Sequence, residues 1–545
     1  MSDTSAPPPF SVPMFKRMWS ASIVSQFGTL IQSVGAAWLM VQLGGTNTQV
    51  ALVTASITVP ILILALLSGA LADNYPRRIV MLCCQIGMFL NSITLCIFAW
   101  MGWLTPWLLL MFTFLNGCGL ALAAPSLQAT VGDIVPRGTI ARAVAMNSMG
   151  VNIARSAGPA LGGVLVAMAG AAAAFTFNAF SYLSIIFVLF TWDAPKATSK
   201  LREDLGTAMA AGLRYASMST PVRTVVLRAV LTGIAASSVT SLMPLVAKDL
   251  LGGDAAIFGL LSGVFGVGAV LGALSNRHLR ARFSSEWTVR IAALCLIGGA
   301  IIVSESRFLP LTLFALLFSG AGWLLAVAVL NVVVQMSVPR WVVGRSLSLY
   351  QMAIFGSMSL GSFLSGKLSE TYGVTNALLI MAGIQAAGLA IGLLFRLPES
   401  EDKNLDPVGR WRVPDLSVEI DPRSGPIHVT VRYDILPDDL PEFVATMKIR
   451  RQIRVRDGAQ NWNLSRDLQQ PNTWVEHYRF SRWRDYILHN ERHTHEDDES
   501  LMALKRLHQG DWPPEIHRSL ERQMSRQTIE PDLISEATID PTRGN

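Results

Sequence analysis

The sequence predicts an all-α polytopic membrane protein, with twelve transmembrane helices arranged as two six-helix repeats, followed by a small C-terminal α+β domain with a ferredoxin-like order of elements. Three observations predict it. Hydrophobic residues make up 51% of the chain and charged residues 15%, whereas a soluble protein carries about 25% charged residues. Apolar runs of about twenty residues, the length that crosses roughly 30 Å of hydrocarbon, recur as far as Arg396, and beyond it Asp, Glu, Arg and His become dense. The apolar part also resembles itself at one fixed offset of 203 residues.

The runs place spans at 18–43, 51–72, 79–101, 107–131, 140–168 and 172–192, then at 224–247, 257–276, 288–304, 308–334, 346–369 and 374–396. The N-terminal stretch leads into a first span of full length without a small-residue cleavage site, so it reads as uncleaved. The formal charge of +6 does not point to nucleic acid, because the basic residues of this part sit in short clusters between spans. Alternate loops hold Arg77 and Arg78, Arg137 and Arg142, Lys196 to Arg223, Arg277 to Arg290, and Arg340 and Arg345; the other loops hold little beyond Lys248 and Arg307. Basic loops face the cytoplasm. The expectation is a multi-pass protein of a bacterial-type inner membrane with both termini cytoplasmic. All five cysteines lie inside apolar runs, where they act as small packing residues rather than disulfide or metal partners.

At the 203-residue offset, SGALAD (68–73) meets LGALSN (271–276), Pro136-Arg137 meets Pro339-Arg340, and Arg142, Gly158 and Gly163 meet Arg345, Gly361 and Gly366. Shared Gly and Ala alone would be expected of any two membrane segments. The aligned Pro and Arg residues would not. Parallel repeats related by an axis along the membrane normal place a substrate cavity between the halves near the midplane.

Two motifs carry chemistry. GALADNYPRR runs from Gly69 through Asp73 to Arg77 and Arg78; Gly69 permits close helix approach, and Asp73 either caps a helix end or meets an arginine. NIARSAGPALGG runs from Asn152 through Arg155 to Gly158, Pro159, Gly162 and Gly163. Its glycines allow backbone-to-backbone packing and its proline removes a helix hydrogen bond. The first motif resembles the loop signature of the major facilitator superfamily (MFS), and the second is similar to the antiporter signature of that superfamily's exporters. Together with WLMVQLGGTNTQVAL and APSLQATVGDIVP, they resemble the transmembrane secretion effector family, which includes enterobactin exporter-like proteins. The resemblance implies the MFS fold and ion-driven export of a small molecule, drug-like or siderophore-like, with the proton as the expected coupling ion. It also implies a cytoplasmic latch using Asp73, for which the repeat suggests Arg345 as partner. Asn276 stands where the second half would repeat the acid, so a second latch is weakened or absent.

Arg155 falls near the midplane, where a charge is costly and usually faces a cavity. It could meet an anionic substrate group, bind carbonyls exposed by Pro159, or pair with a neighbouring span. Asn152, Gln32, Gln128, Tyr350 and Gln351 are further cavity candidates, each equally readable as a link between helices. No Asp or Glu lies near the middle of any span.

The tail reads as a strand at Ile427, a helix over 438–456, a strand pair over 459–468 and 473–480, and a helix over 482–507. This order suggests a ferredoxin-like module and looks like the antibiotic-biosynthesis-monooxygenase-type domain, whose members commonly dimerise; self-association is the implied partner. His489 and His493 read as parts of a solvated helix surface rather than metal ligands, and Trp462, Trp474 and Trp483 as core. The segments are then a cytoplasmic N-terminus (1–17), the first half (18–192), a central loop (193–223), the second half (224–396), a linker (397–425), the module (426–525) and a flexible end (526–545). No nucleotide phosphate loop or catalytic motif is present, so the chain reads as a transporter in the lipid bilayer rather than an enzyme, with no cofactor or metal. The competing reading is an anchored enzyme or sensor whose tail carries the activity.

Overall fold

The computed structural model describes residues 8–193, 214–215, 217–339, 342–397, 413–414 and 416–521. The basic residues of the central loop from Lys196 to Arg202, together with Arg340, most of the linker and the 526–545 segment, lie outside the described residues, as does the side chain of Asp73. The chain divides into two compact units, Met1–Asp402 and Lys403–Asn545.

Among its described residues, the first unit contains ten helices long and apolar enough to cross a membrane. They are α1 Pro13–Gln42, α2 Asn47–Asn74, α3 Arg77–Trp100, α4 Pro106–Ile134, α5 Ile140–Thr191, α6 Thr220–Leu245, α7 Ala255–Arg280, α8 Ser285–Glu305, α9 Leu309–Met336 and α10 Val343–Leu394. Their starts follow local chemistry. Thr46 and Gln49 form a capping box at α2, Thr105 caps α4 ahead of Pro106, and Asp254 and Ser284 cap α7 and α8, each accepting amide hydrogen bonds that the first turn cannot satisfy internally. Pro13 begins α1 five residues before the expected span, at the one turn of a helix where proline costs nothing.

The sequence separates 140–168 from 172–192 and 346–369 from 374–396, and in the structure each pair follows with no intervening loop, as the kinked helices α5 and α10 of 52 residues each. A straight helix of that length would extend about 78 Å, far beyond the hydrocarbon thickness. Each is broken once. Gly170 (φ 78°, ψ 170°) and Gly373 (φ 82°, ψ 164°) leave helical geometry, a backbone state open to glycine and costly for other residues. Gly373 follows Gly170 by 203 residues, so the repeat found in the sequence extends to the backbone break.

The core of the first unit is apolar and threads between helices of both halves, with Ile31, Val34, Phe175, Leu242, Phe258 and Leu316 among its buried members. A second cluster inside the second half surrounds Val289, Leu325, Val329 and Tyr350.

In the second unit a four-stranded sheet is formed by β1 Ile427–Asp434, β2 Gln460–Arg466, β3 Thr473–Phe480 and β4 Ile516–Leu520, in the order β2-β3-β1-β4, with every pairing antiparallel. The helices are α11 Leu440–Asp457, α12 Trp483–Glu491 and α13 His495–Leu507. The single helix expected over 482–507 is two, because Thr494 and Asp497 form a capping box that starts a new helix. Strand β4 was not legible: its five residues, IHRSL, are mostly exposed and mixed in polarity. Alternating β1 residues Ile427, Val429, Val431 and Tyr433 are buried, with Phe443 and Met447 of α11 and Phe480 of β3 in the same core. Trp483 is buried in that core, and Trp462 and Trp474 pack against its margin.

Candidate functional site

Two seams join the halves of the first unit. On one, α5 meets α7: a Cβ built on Gly163 would stand 2.5 Å from the Gly259 Cα and 2.7 Å from the Ala255 carbonyl oxygen, and one on Gly266 would stand 2.5 Å from the Arg155 carbonyl. On the other, α2 meets α10: a Cβ on Gly366 would stand 2.7 Å from the Thr48 Cα, and Thr58 Oγ1 and Ser359 Oγ share a hydrogen bond of 2.7 Å. Gly163 and Gly366 are repeat partners, and each holds the matching place on its seam. Gly158 and Gly162 pack instead on α1, against Leu30 and the Ile31 Cα, each at 3.0 Å from the built Cβ. The antiporter-like motif therefore fits two neighbours at once. Pro159 sits inside α5 and is buried; its carbonyl faces Gly259, 2.9 Å from the position of a Cβ there.

At about 100° per residue, the face of α5 toward α1 (Gly158, Gly162) and the face toward α7 (Ser156, Gly163) leave an arc between them. Arg155 and Asn152 fall in that arc. Arg155 lies midway between Ile140 and Gly170, and its side chain is exposed. Among the described residues its guanidinium makes no hydrogen bond or ion pair.

The other cavity candidates divide. Gln32 is buried and is not available to a central cavity: its Oε1 accepts from Asn178 Nδ2 at 2.6 Å and Ser92 Oγ at 3.1 Å, tying α1 to α3 and α5. Tyr350 is likewise enclosed in the second half, 1% exposed, donating to the Val327 carbonyl at 2.9 Å. Gln128 and Gln351 are exposed on α4 and α10, and no hydrogen bond among the described residues joins either to Arg155.

The loop signature is used at the helix ends. Arg77 Nη1 pairs with Asp133 Oδ2 at 2.6 Å, and Arg78 donates from Nε and Nη2 to the Leu189 and Phe190 carbonyls at 2.9 Å each, satisfying terminal acceptors of α5 with a cation where the helix dipole favours one. The pair thus binds α3 to α4 and α5. Gly69 lies in the last two turns of α2, and a Cβ there would meet nothing within 4 Å. Arg345 lies in the first turn of α10, and the proposed Asp73 partner's side chain lies outside the described residues.

Sequence reasoning missed a buried charge cluster. Glu286 at the start of α8 accepts from Arg290 Nε at 2.8 Å, Arg228 Nη2 at 3.4 Å and the Leu397 amide at 2.9 Å. Arg228 is 3% exposed and its guanidinium packs onto Gly392, where a side chain would collide with it. Three spans and the chain's exit from the last one are joined there. The available signal was an Arg in the third turn of one helix and a Glu of opposite sign in the first turn of another.

In the second unit, His489 is buried rather than solvated, at 1% exposure. Its Nδ1 meets Asp457 Oδ2 at 3.1 Å and its Nε2 faces Arg454 Nη1. Burial first, and then Arg454, push its pKa down to about 4, while Asp457 and its hydrogen bond act the other way. Burial alone would raise the Asp457 carboxyl; the adjacent Arg456, at 2.8 Å, and the hydrogen-bonded His489 together outweigh it and bring the pKa to about 2. Glu476, fully buried, accepts from Tyr433, Trp462 and Arg454. Among the described residues no three His, Cys, Asp or Glu side chains gather as a metal site requires.

Comparison with known proteins gives these geometries a family. Staphyloferrin A transporter of Staphylococcus aureus (strain NCTC 8325 / PS 47) is 25% identical over 378 residues, covering 68% of this chain and 92% of that one. Multidrug efflux pump Tap of Mycolicibacterium fortuitum is 24% identical, covering 68% and 91%, and the enterobactin exporter EntS of Salmonella typhi is 25% identical, covering 61% and 79%. Among solved structures, an inward-facing bacterial homolog of the human lysosomal transporter Spinster aligns with a TM-score of 0.57 at 15% identity, over 71% of this chain and 96% of that one. The nucleoside transporter NupG aligns at 0.55 and 14%, over 70% and 98%. At such identities the likeness shows the MFS-type fold. The profile of the transmembrane secretion effector family matches residues 4–527, nearly the whole length, and the chain therefore belongs to that family: it is a multi-pass membrane transporter of small molecules and not an enzyme.

Proposed function

We propose that this protein exports an anionic or amphipathic small molecule, siderophore-like or drug-like, across the inner membrane by alternating access between its two halves, drawing on an ion gradient with the proton as coupling ion. Twelve spans are obtained when α5 and α10 are each counted as two at Gly170 and Gly373, and an even count with basic loops on one side supports cytoplasmic termini. The observation that carries the reading is Arg155: a midspan cation, exposed and without a partner among the described residues, beside the seam where the halves meet. A charge is retained at such depth where it serves a cavity or a ligand. The names of relatives that carry staphyloferrin A and enterobactin agree with an acidic or polar cargo.

Asp73 and Arg345 are proposed as the latch of the cytoplasmic end. For the tail, the β-α-β-β-α-α-β succession and the β2-β3-β1-β4 order support a ferredoxin-like module serving self-association or regulation. The test is accumulation of labelled siderophores and of anionic or neutral amphipathic drugs in cells with and without the protein, repeated after the ion gradient is collapsed. Export that needs neither the protein nor the gradient rejects the proposal. Export retained by a chain ending at Arg396 makes the tail accessory.

A further inference from the structure

The α2–α10 seam is closed at the end where α2 begins and the first part of α10 ends. Asn47 Nδ2 donates to the Ser369 carbonyl at 3.2 Å, and the Thr48 amide donates to Glu370 Oε1 at 3.1 Å. Gly366 has no side chain to hold the two helices apart. The same end of the bundle is closed elsewhere, by Gly163 on Gly259 and by Trp38 of α1 stacked on Phe258 of α7, their centroids 6.3 Å apart. By the loop charges, this is the end away from the cytoplasm.

The starts of α2 and α7 are both set into these seams, and both leave amides that need acceptors and a positive dipole end that favours an anion. They are served differently. Helix α7 has its own carboxylate: Asp254 Oδ1 accepts from the Ala256 and Ile257 amides at 3.0 and 3.1 Å. Helix α2 has a neutral cap, Thr46 with Gln49, and its anion comes from the other half of the protein as Glu370. The charged group nearest Glu370 is Lys367 of its own helix, with Nζ 3.4 Å from Oε2; the α2 residues facing it, Thr46, Asn47 and Thr48, are neutral. The stabilisation of α2 by a carboxylate thus exists only while this end is shut.

We propose that Glu370 is the outer latch of the transporter, an ionised carboxylate that holds the N-terminus of α2 and favours the state closed to the outside. The proposal rests on the alternating-access reading above. It makes Glu370 a positioning residue, acting on the balance between two states and not on cargo. Glu370→Gln keeps an acceptor but removes the charge, which lowers both the charge-assisted hydrogen bond and the dipole interaction, and shifts the open-to-closed ratio at this end by roughly tenfold. Thr46→Asp gives α2 a carboxylate cap of its own, as α7 has, and removes the Thr46 hydroxyl that hydrogen-bonds Glu370, setting a second carboxylate beside it; in its background Glu370→Gln therefore gives no gain in the open state, since it also relieves that repulsion.

The test is the full chain in lipid nanodiscs, its five native cysteines replaced by serine, with spin labels at Gln42 and Thr371 and distances read by pulsed electron resonance. Both positions are exposed on opposite halves at the closed end. The expected result is a gain in the long-distance population for Glu370→Gln, a smaller gain for Glu370→Asp, and loss of the effect in the Thr46→Asp background. Unchanged distances in Glu370→Gln, or an equal shift with and without Thr46→Asp, overturn the latch. Because these readings need no cargo, a latch that responds as stated in a protein that exports nothing refutes the export reading alone.

Discussion

Replacing Gly163 with alanine tests whether the α5–α7 seam controls the alternation between states. In the present state the added Cβ would lie 2.5 Å from the Gly259 Cα and 2.7 Å from the Ala255 carbonyl oxygen, about 0.9 Å short of an ordinary contact with the first. Both obstacles are backbone. No side chain can rotate away, so the helices must separate, and overpacking of this kind costs about 1–3 kcal/mol. That cost falls only on the state in which the seam is shut, and corresponds to a shift of roughly 5–150-fold away from it. The control is Gly87→Ala, on α3, where a Cβ would meet nothing within 4 Å and where alanine should favour the helix. Spin-label distances across the seam and export rate are the two readouts. Gly163→Ala should populate the outward-open state and slow export, while Gly87→Ala leaves both unchanged. If the two variants cannot be told apart, the seam does not set the balance and the reasoning from its glycines fails.

Arg155→Ala should cut export of an anionic cargo at least about tenfold with membrane insertion intact, and Arg155→Lys should retain part of it, since charge survives and bidentate geometry does not; full export by Arg155→Ala, measured by cargo accumulation, removes the arginine from the site. Single charge reversals at Asp73 and Arg345 should each lower export and the double reversal should restore it; absence of rescue sinks the cytoplasmic latch. In the tail, His489 has a folded pKa of about 4 against an ordinary 6.5, so the unfolded chain binds the proton first as the pH falls. Stability is accordingly full above about pH 6.5, is lost by at most about 3 kcal/mol down to pH 4, and levels off below as far as this group is concerned. Urea midpoints of the tail in the full chain, read by pulse proteolysis, should fall over that window in the native protein and less in His489→Gln; equal slopes would place the pH sensitivity elsewhere.

The parts of this protein that were legible in its sequence are those where one solvent or one backbone constraint decides. Apolar length sets the spans, basic loops suggest their direction, and Gly170 and Gly373 coincide with the expected gaps at 169–171 and 370–373. The alternation of Ile427, Val429, Val431 and Tyr433 gave β1 for the same reason. Which way a membrane side chain faces is harder to read, because lipid and protein interior are both apolar and a helix need not show a contrasting polar stripe. That is why Gln32 and Tyr350, read as cavity residues, are found enclosed within single halves. Arg228 and Glu286 are 58 residues apart and nothing in the sequence singles them out; their burial together is a tertiary fact. His489 misled through its acidic sequence neighbours, one of which, Asp497, belongs to the capping box of the next helix, while its own partners, Asp457 and Arg454, come from α11.

The two seams divide the work of a rocking motion in a way the repeat alone does not require. Along α5–α7 the close approaches are made by glycines and carbonyls, contacts that carry no net charge and depend on the seam being shut. Along α2–α10 the proposed ionic contacts sit at the two extremes, Glu370 against the first turn of α2 and Arg345 in the first turn of α10. On the proposed scheme the loss of the second acid at Asn276 and the self-sufficient cap at Asp254 belong together: a charged latch at each end of one seam would define two states, and duplicating it on the other seam would deepen both wells and slow the exchange between them.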